Sequence, residues 1–141
     1  MTDAAPFSPE DALVAVMFAT SAADQQLSDS EISTIERLVS VLPAFASYDP
    51  SRIPAVFQNV FALFDQDDGI DTLVGLVKSS LPPGLNETAY ALACDVAAAD
   101  GSVAMEELRL LEILRQDLEV DRLAAAAIER GARARHRKVP V

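Results

Sequence analysis

Four carboxylates form two pairs with the same internal spacing. Asp24 precedes Glu31 in the first pair, and Asp100 precedes Glu107 in the second. Carboxylate oxygens are hard ligands, so a set of four suits calcium, magnesium or manganese better than zinc or copper. Carboxylates that lie close together repel one another, and a bound cation relieves that repulsion. If the two turns meet in the fold, the pattern predicts a divalent cation held between them.

The same residues also fit a structural role. Aspartate is common in turns that end helices, and carboxylates in a first helical turn interact favourably with the helix dipole. Ser28 and Glu31 have the spacing of a capping box, in which the glutamate accepts from its own helix N-terminus. Ala104 stands where a serine would be needed before Glu107, so the capping explanation is weaker for the second pair.

The two pairs belong to a longer internal repeat. Placing Asp24 on Asp100 aligns Ala-Ala-Asp at 22–24 with Ala-Ala-Asp at 98–100. The residues that follow agree as well: Leu27 with Val103, Ile32 with Leu108, Ile35 with Leu111, Glu36 with Glu112 and Leu38 with Leu114. Each copy therefore predicts an alanine-rich helix, an acidic turn and a second helix. Such hairpins often pack around a pseudo-twofold axis, which would bring the two turns together.

Apolar residues at helical spacing predict an all-α fold of about seven helices packed as one bundle. We expect one domain over 1–132, divided into repeat 1 at about 9–42, middle helices at about 50–81, repeat 2 at about 86–118 and a last helix at about 119–130. Ser8 and Pro9 begin the first helix. The sixth helix should bury Leu108 and the leucines that follow it, and the seventh should bury Leu123. The basic residues 133–141 predict a flexible tail.

Composition limits the classes of partner. Half of the residues are hydrophobic, enough for a core, and the formal net charge is −11. Such an acidic surface repels nucleic acid and anionic lipid, and it attracts cations or a basic protein. No apolar run is long enough to cross a bilayer, and the N-terminal residues lack a signal-peptide pattern, so we expect a cytoplasmic protein. Cys94 has no second cysteine with which to form an intramolecular disulfide.

The motif Ala-Ala-Asp-Gly-x-Val-x-x-x-Glu at 98–107, with its weaker copy at 22–31, resembles the tellurite-resistance TerB family. Related domains form the amino-terminal part of some J-domain co-chaperones. The first copy departs from the pattern, with Gln25 where glycine is usual. The resemblance implies a seven-helix fold with both repeats packed together and no established catalytic activity. It also implies a metal site, and carried over by position the ligands are Asp24, Glu31, Asp100 and Glu107.

Other polar groups are weaker candidates for a site. Asp95 lies one turn before the second motif and could support it, although a solvated helix residue is the favoured interpretation. Cys94 is expected to pack in the core, because the only histidine, His136, lies in the tail. The basic residues around His136 could dock on an acidic partner, but a solubilising tail is the commoner explanation. The acidic run between Asp65 and Asp71 fits a turn better than a calcium loop.

The resemblance implies a non-catalytic stress-response module, and the acidic pairs add a predicted divalent cation site. The net charge predicts a protein partner that is still unidentified. The alternative is a metal-independent protein–protein interaction domain, which could self-associate as a homodimer. A third hypothesis is a small hydrolase that uses two carboxylates. A domain of this size has little room for a deep substrate cleft, so we expect no enzyme.

Overall fold

The computed structural model describes residues 7–23, 27–99, 101 and 103–141. Within these ranges all regular secondary structure is helical, which confirms the predicted all-α class of about seven helices. The helices are α1 (Pro9–Ala22), α2 (Asp29–Val41), α3 (Ile53–Phe64), α4 (Gly69–Ser80), α5 (Asn86–Ala98), α6 (Met105–Asp117) and α7 (Arg122–Arg135). Three short 3-10 turns, at Pro43–Phe45, Pro50–Arg52 and Pro83–Leu85, lie in the connections.

Helix α1 lies at the centre of the fold. Every residue from Asp11 to Ala22 is buried, and the helix packs against α2, α3, α4, α5 and α6. A helix that is apolar around its whole circumference is one that other elements must surround. Helix α5 packs along α1 and is buried from Ala89 to Ala97 except at Ala91, and alanines on both helices allow close approach. The alanine-rich helices α1 and α5 are thus the inner layer of the bundle.

The helix bounds follow the register of the predicted repeat. The offset that places Asp24 on Asp100 also places Asp29 and Val41, the ends of α2, on Met105 and Asp117, the ends of α6. The contacts correspond in the same way, because α1 packs on α6 and α2 packs on α5. The internal duplication itself stays a prediction from the sequence.

Local caps explain where several helices begin. At α1, Ser8 Oγ accepts from the Asp11 N–H at 3.0 Å, which confirms the predicted N-cap. At α7, Asp121 Oδ1 accepts from the N–H groups of Leu123 and Ala124. Proline occupies an early position of α1 and α3, where its missing N–H leaves no helical hydrogen bond unmade.

Two surface features differ from the sequence expectation. Leu108 of α6 is 51% exposed and Leu123 of α7 is 81% exposed, although both fit an apolar stripe. The reason is that α6 and α7 are outer helices, each buried along a narrow strip, which in α7 contains Ala125 and Ala132. Helix α7 also continues through Arg135, beyond the predicted end near 130.

Membrane crossing requires a helix that is both long and apolar. None of the helices in the described part of the chain meets both conditions.

Candidate functional site

Two of the four predicted metal ligands, Glu31 and Glu107, occupy equivalent buried positions. Each is the third residue of the second helix in its hairpin, in α2 and α6 respectively. Their exposed fractions are 3% and 2%. Carboxylates are seldom buried this deeply unless a hydrogen bond or an opposite charge compensates for the lost hydration. The hydrogen-bond partners of the two carboxylates therefore bear on whether they cap helices or bind a cation.

Glu31 connects the two helices of the first hairpin. Its Oε1 accepts from Ser21 Oγ of α1 at 2.9 Å, in a buried hydrogen bond. Its own N–H donates to Ser28 Oγ at 3.1 Å, which is the N-cap bond of α2. The carboxylate of Glu31 therefore reaches across to the neighbouring helix, a contact that the capping pattern alone did not predict.

Glu107 reaches back to the start of its own helix. Its Oε1 accepts from the Ala104 N–H at 3.1 Å. The sequence made this kind of contact less expected for Glu107, because Ala104 has no side-chain acceptor to complete a capping box. A capping box has two hydrogen bonds, and here the one from the N-cap N–H to the glutamate forms without the one to an N-cap side chain. It forms because the Ala104 N–H, at the helix N-terminus, has no acceptor within the helix.

The remaining two predicted ligands, Asp24 and Asp100, lie outside the described residues. Next to Asp100, Gly101 has φ of +82°, in the left-handed region that favours glycine at a helix end. Its N–H donates to the Ala98 carbonyl at 3.1 Å. Among the described residues, no three His, Cys, Asp or Glu side chains lie together as a metal-binding group. The structure thus describes two of the four predicted ligands, Glu31 and Glu107.

Asp95 is a buried ion-pair partner, so the favoured expectation of a solvated helix residue was wrong. Its Oδ1 accepts from Arg135 Nε at 3.2 Å and from Arg135 Nη2 at 2.6 Å. His136 Nε2 lies 3.4 Å from the same oxygen. Asp95 therefore binds the C-terminal end of α7 to α5. Sequence reasoning missed this link, because the partners are far apart in the chain and Arg135 falls within the predicted tail.

We expect Cys94 to react slowly with thiol reagents in the native protein. Burial raises the pKa of the Cys94 thiol to about 12, and Cys94 is only 5% exposed. The thiolate is the reacting species, so modification by 5,5′-dithiobis(2-nitrobenzoate) at pH 8 should be at least about 100-fold slower than in urea. Equal rates in the two conditions would contradict the burial of Cys94.

The comparisons with known proteins identify the family. Residues 10–130 match the family model described as "Tellurite resistance protein TerB". The searches of curated proteins and of solved structures gave no match. The matched region includes the whole of α2 to α6, both predicted acidic turns and all four predicted ligands. The chain therefore belongs to the TerB family.

Proposed function

We propose that the protein is a non-catalytic stress-response module, of the tellurite-resistance kind, that holds a divalent cation between its two hairpins. The ligands in this proposal are Asp24, Glu31, Asp100 and Glu107. The observation that carries it is the equivalent burial of Glu31 and Glu107, each in the first turn of the helix that follows a predicted acidic turn. Membership of the TerB family supports the stress-response part.

The chemistry of the proposed ligands favours a hard cation. All four proposed ligands are carboxylates, which are preferred by calcium, magnesium and manganese. The two hairpins are in contact, because α1 packs directly on α5. An ion bound by both turns would in addition fix the angle between the hairpins. A protein partner that recognises this arrangement would then sense the cation.

The contact between Glu107 and the Ala104 N–H favours a second candidate function. A glutamate needs no metal in order to cap its own helix. In that case the protein is a metal-independent interaction domain, and its acidic turns are structural. The two functions differ in whether cations stabilise the fold.

Thermal unfolding followed by circular dichroism distinguishes them, since the chain has no tryptophan for fluorescence. The protein is stripped with chelator and melted with and without calcium, magnesium, manganese or zinc. A ligand at about 100 times its Kd stabilises by about 2.7 kcal/mol, which corresponds to a rise in Tm on the order of 8 °C. We expect one of the hard cations to produce this rise in the native chain.

Matched variants locate the ion. Asp100→Asn and Glu107→Gln should abolish the rise in Tm while keeping the helical spectrum, because each removes a charge and little volume. Asp65→Asn, in the exposed turn between α3 and α4, should keep the full rise. If no cation raises the Tm, the metal-independent interaction domain becomes the better description. A rise that persists in both ligand variants would place the ion elsewhere.

A further inference from the structure

A cleft with a basic lining lies beside the turn between α5 and α6. Its volume is about 520 Å³, and its lining includes Arg133, His136, Arg137 and Lys138, together with Gly101 and Val103 of the turn. No acidic side chain is among the described residues that line it. In a chain with a formal net charge of −11, this concentration of positive charge is a local exception. We call this cavity the basic cleft.

The fold holds the basic cleft in place. Asp95 of α5 binds Arg135, and His136 lies beside the same carboxylate, so the end of α7 is fixed against α5. Arg133 lies within α7 and therefore starts from a fixed backbone, and Arg137 directly follows the anchored His136. Charged groups that are positioned in advance lose less conformational entropy when a ligand binds.

An apolar groove continues from the basic cleft between α5, α6 and α7. Its volume is about 420 Å³, and it shares Ala98, Val103 and Arg133 with the cleft. Its walls include Leu108 and Leu111, and Leu108 is half exposed. An exposed leucine beside a groove is apolar surface that a partner could remove from water. The groove wall also carries three further charged side chains: Glu112, Arg115 and Glu129. The two cavities together form a surface that is largely apolar, with mixed charge, at one end and basic at the other.

We propose that this surface binds a short segment of a partner protein that carries apolar side chains next to a run of acidic ones. The apolar side chains would fill the groove along α6, and the carboxylates would pair with Arg133, Arg137 and Lys138. Charge complementarity places the acidic part of the segment at the basic cleft, because the largely acidic remainder of the surface repels it. Nucleic acid fits less well, since it would place phosphates against the rest of this acidic chain.

Selection from a displayed library of random peptides of about 12 residues, with the purified full chain as bait, tests the proposal. We expect the enriched peptides to combine apolar residues with a run of Asp or Glu. Fluorescence anisotropy with a labelled enriched peptide then gives the Kd. The double variant Arg137→Glu with Lys138→Glu, and separately Leu108→Ser, should each weaken binding at least about tenfold.

Two control variants change the same residue types elsewhere. Arg37→Glu on α2 and Leu123→Ser on α7 alter exposed side chains that line neither cavity, so the Kd should stay the same. The proposal is overturned by a selection without enrichment, by enriched peptides that lack acidic residues, or by a Kd that neither test variant changes. Tighter binding of a single-stranded oligonucleotide, lost in the double variant, would assign the basic cleft to nucleic acid instead. Measuring the peptide Kd in the presence of chelator tests the docking surface independently of the proposed cation site.

Discussion

Replacing Gly69 with alanine is expected to lower the free energy of unfolding by about 3 kcal/mol, because the new methyl group has no space. A Cβ at this position would lie 1.9 Å from the carbonyl oxygen of Leu63 and 2.8 Å from its carbonyl carbon. Both are backbone atoms at the end of α3, so they cannot rotate away as a side chain could. Gly69 begins α4, and the clash would force α3 and α4 apart.

Gly75→Ala is the matched control for this prediction. Gly75 lies in the exposed middle of the same helix, and a Cβ there would meet nothing within 4 Å. Alanine should therefore stabilise the protein, by about 0.5–1 kcal/mol, through its higher helix propensity. Urea unfolding followed by circular dichroism measures both changes. Equal effects of the two substitutions would mean that α3 and α4 do not approach as closely as the structure shows.

Asp11→Asn is expected to lower the free energy of unfolding by about 2 kcal/mol at pH 7, and by progressively less as the pH falls below about 3.9. Asp11 is buried at the start of α1, where Arg52 forms an ion pair with it and donates from Nε at 3.1 Å. Tyr48 Oη also donates to Asp11, at 2.9 Å. Asparagine has nearly the same volume but no charge, so the substitution removes the ion pair.

The pH dependence follows from the pKa of Asp11. Burial by itself raises this pKa, but the hydrogen bonds from Arg52, Tyr48 and the Ser8 N–H, together with the charge of Arg52, outweigh burial and hold the pKa below its ordinary value. The carboxylate therefore contributes its stability in full above the unfolded-state pKa of about 3.9. That contribution is lost as the pH falls through the lower folded-state value. Wild type and Asp11→Asn should accordingly converge in strong acid.

Urea unfolding of both proteins between pH 7 and pH 2.5 tests this expectation. Glu36→Gln, which removes an exposed carboxylate from α2, is the control and should change stability by less than about 0.5 kcal/mol at any pH. A difference between wild type and Asp11→Asn that stays constant with pH would show that the charge of Asp11 is not the source of its effect.

The sequence by itself determined the fold class, the family and the approximate helix bounds. Apolar spacing and breaks at Pro43 and at Pro82 and Pro83 are local signals, and the helices follow them closely. The motif at 98–107 predicted the TerB family, which the match over 10–130 confirms. The sequence also identified Glu31 and Glu107 as an equivalent pair. A helix position depends mainly on nearby residues, so a single chain contains this information.

Only the tertiary structure decided which groups meet. The burial of Asp95 depends on Arg135, which lies on a different helix, and the exposure of Leu108 depends on the position of α6 at the outside of the bundle. Glu31 finds its partner on α1, whereas Glu107 finds one in its own first turn, although their sequence patterns are alike. Contacts between distant residues depend on how helices pack, and an apolar stripe specifies that a face is buried without specifying against what. The basic cleft and the apolar groove arise from that packing.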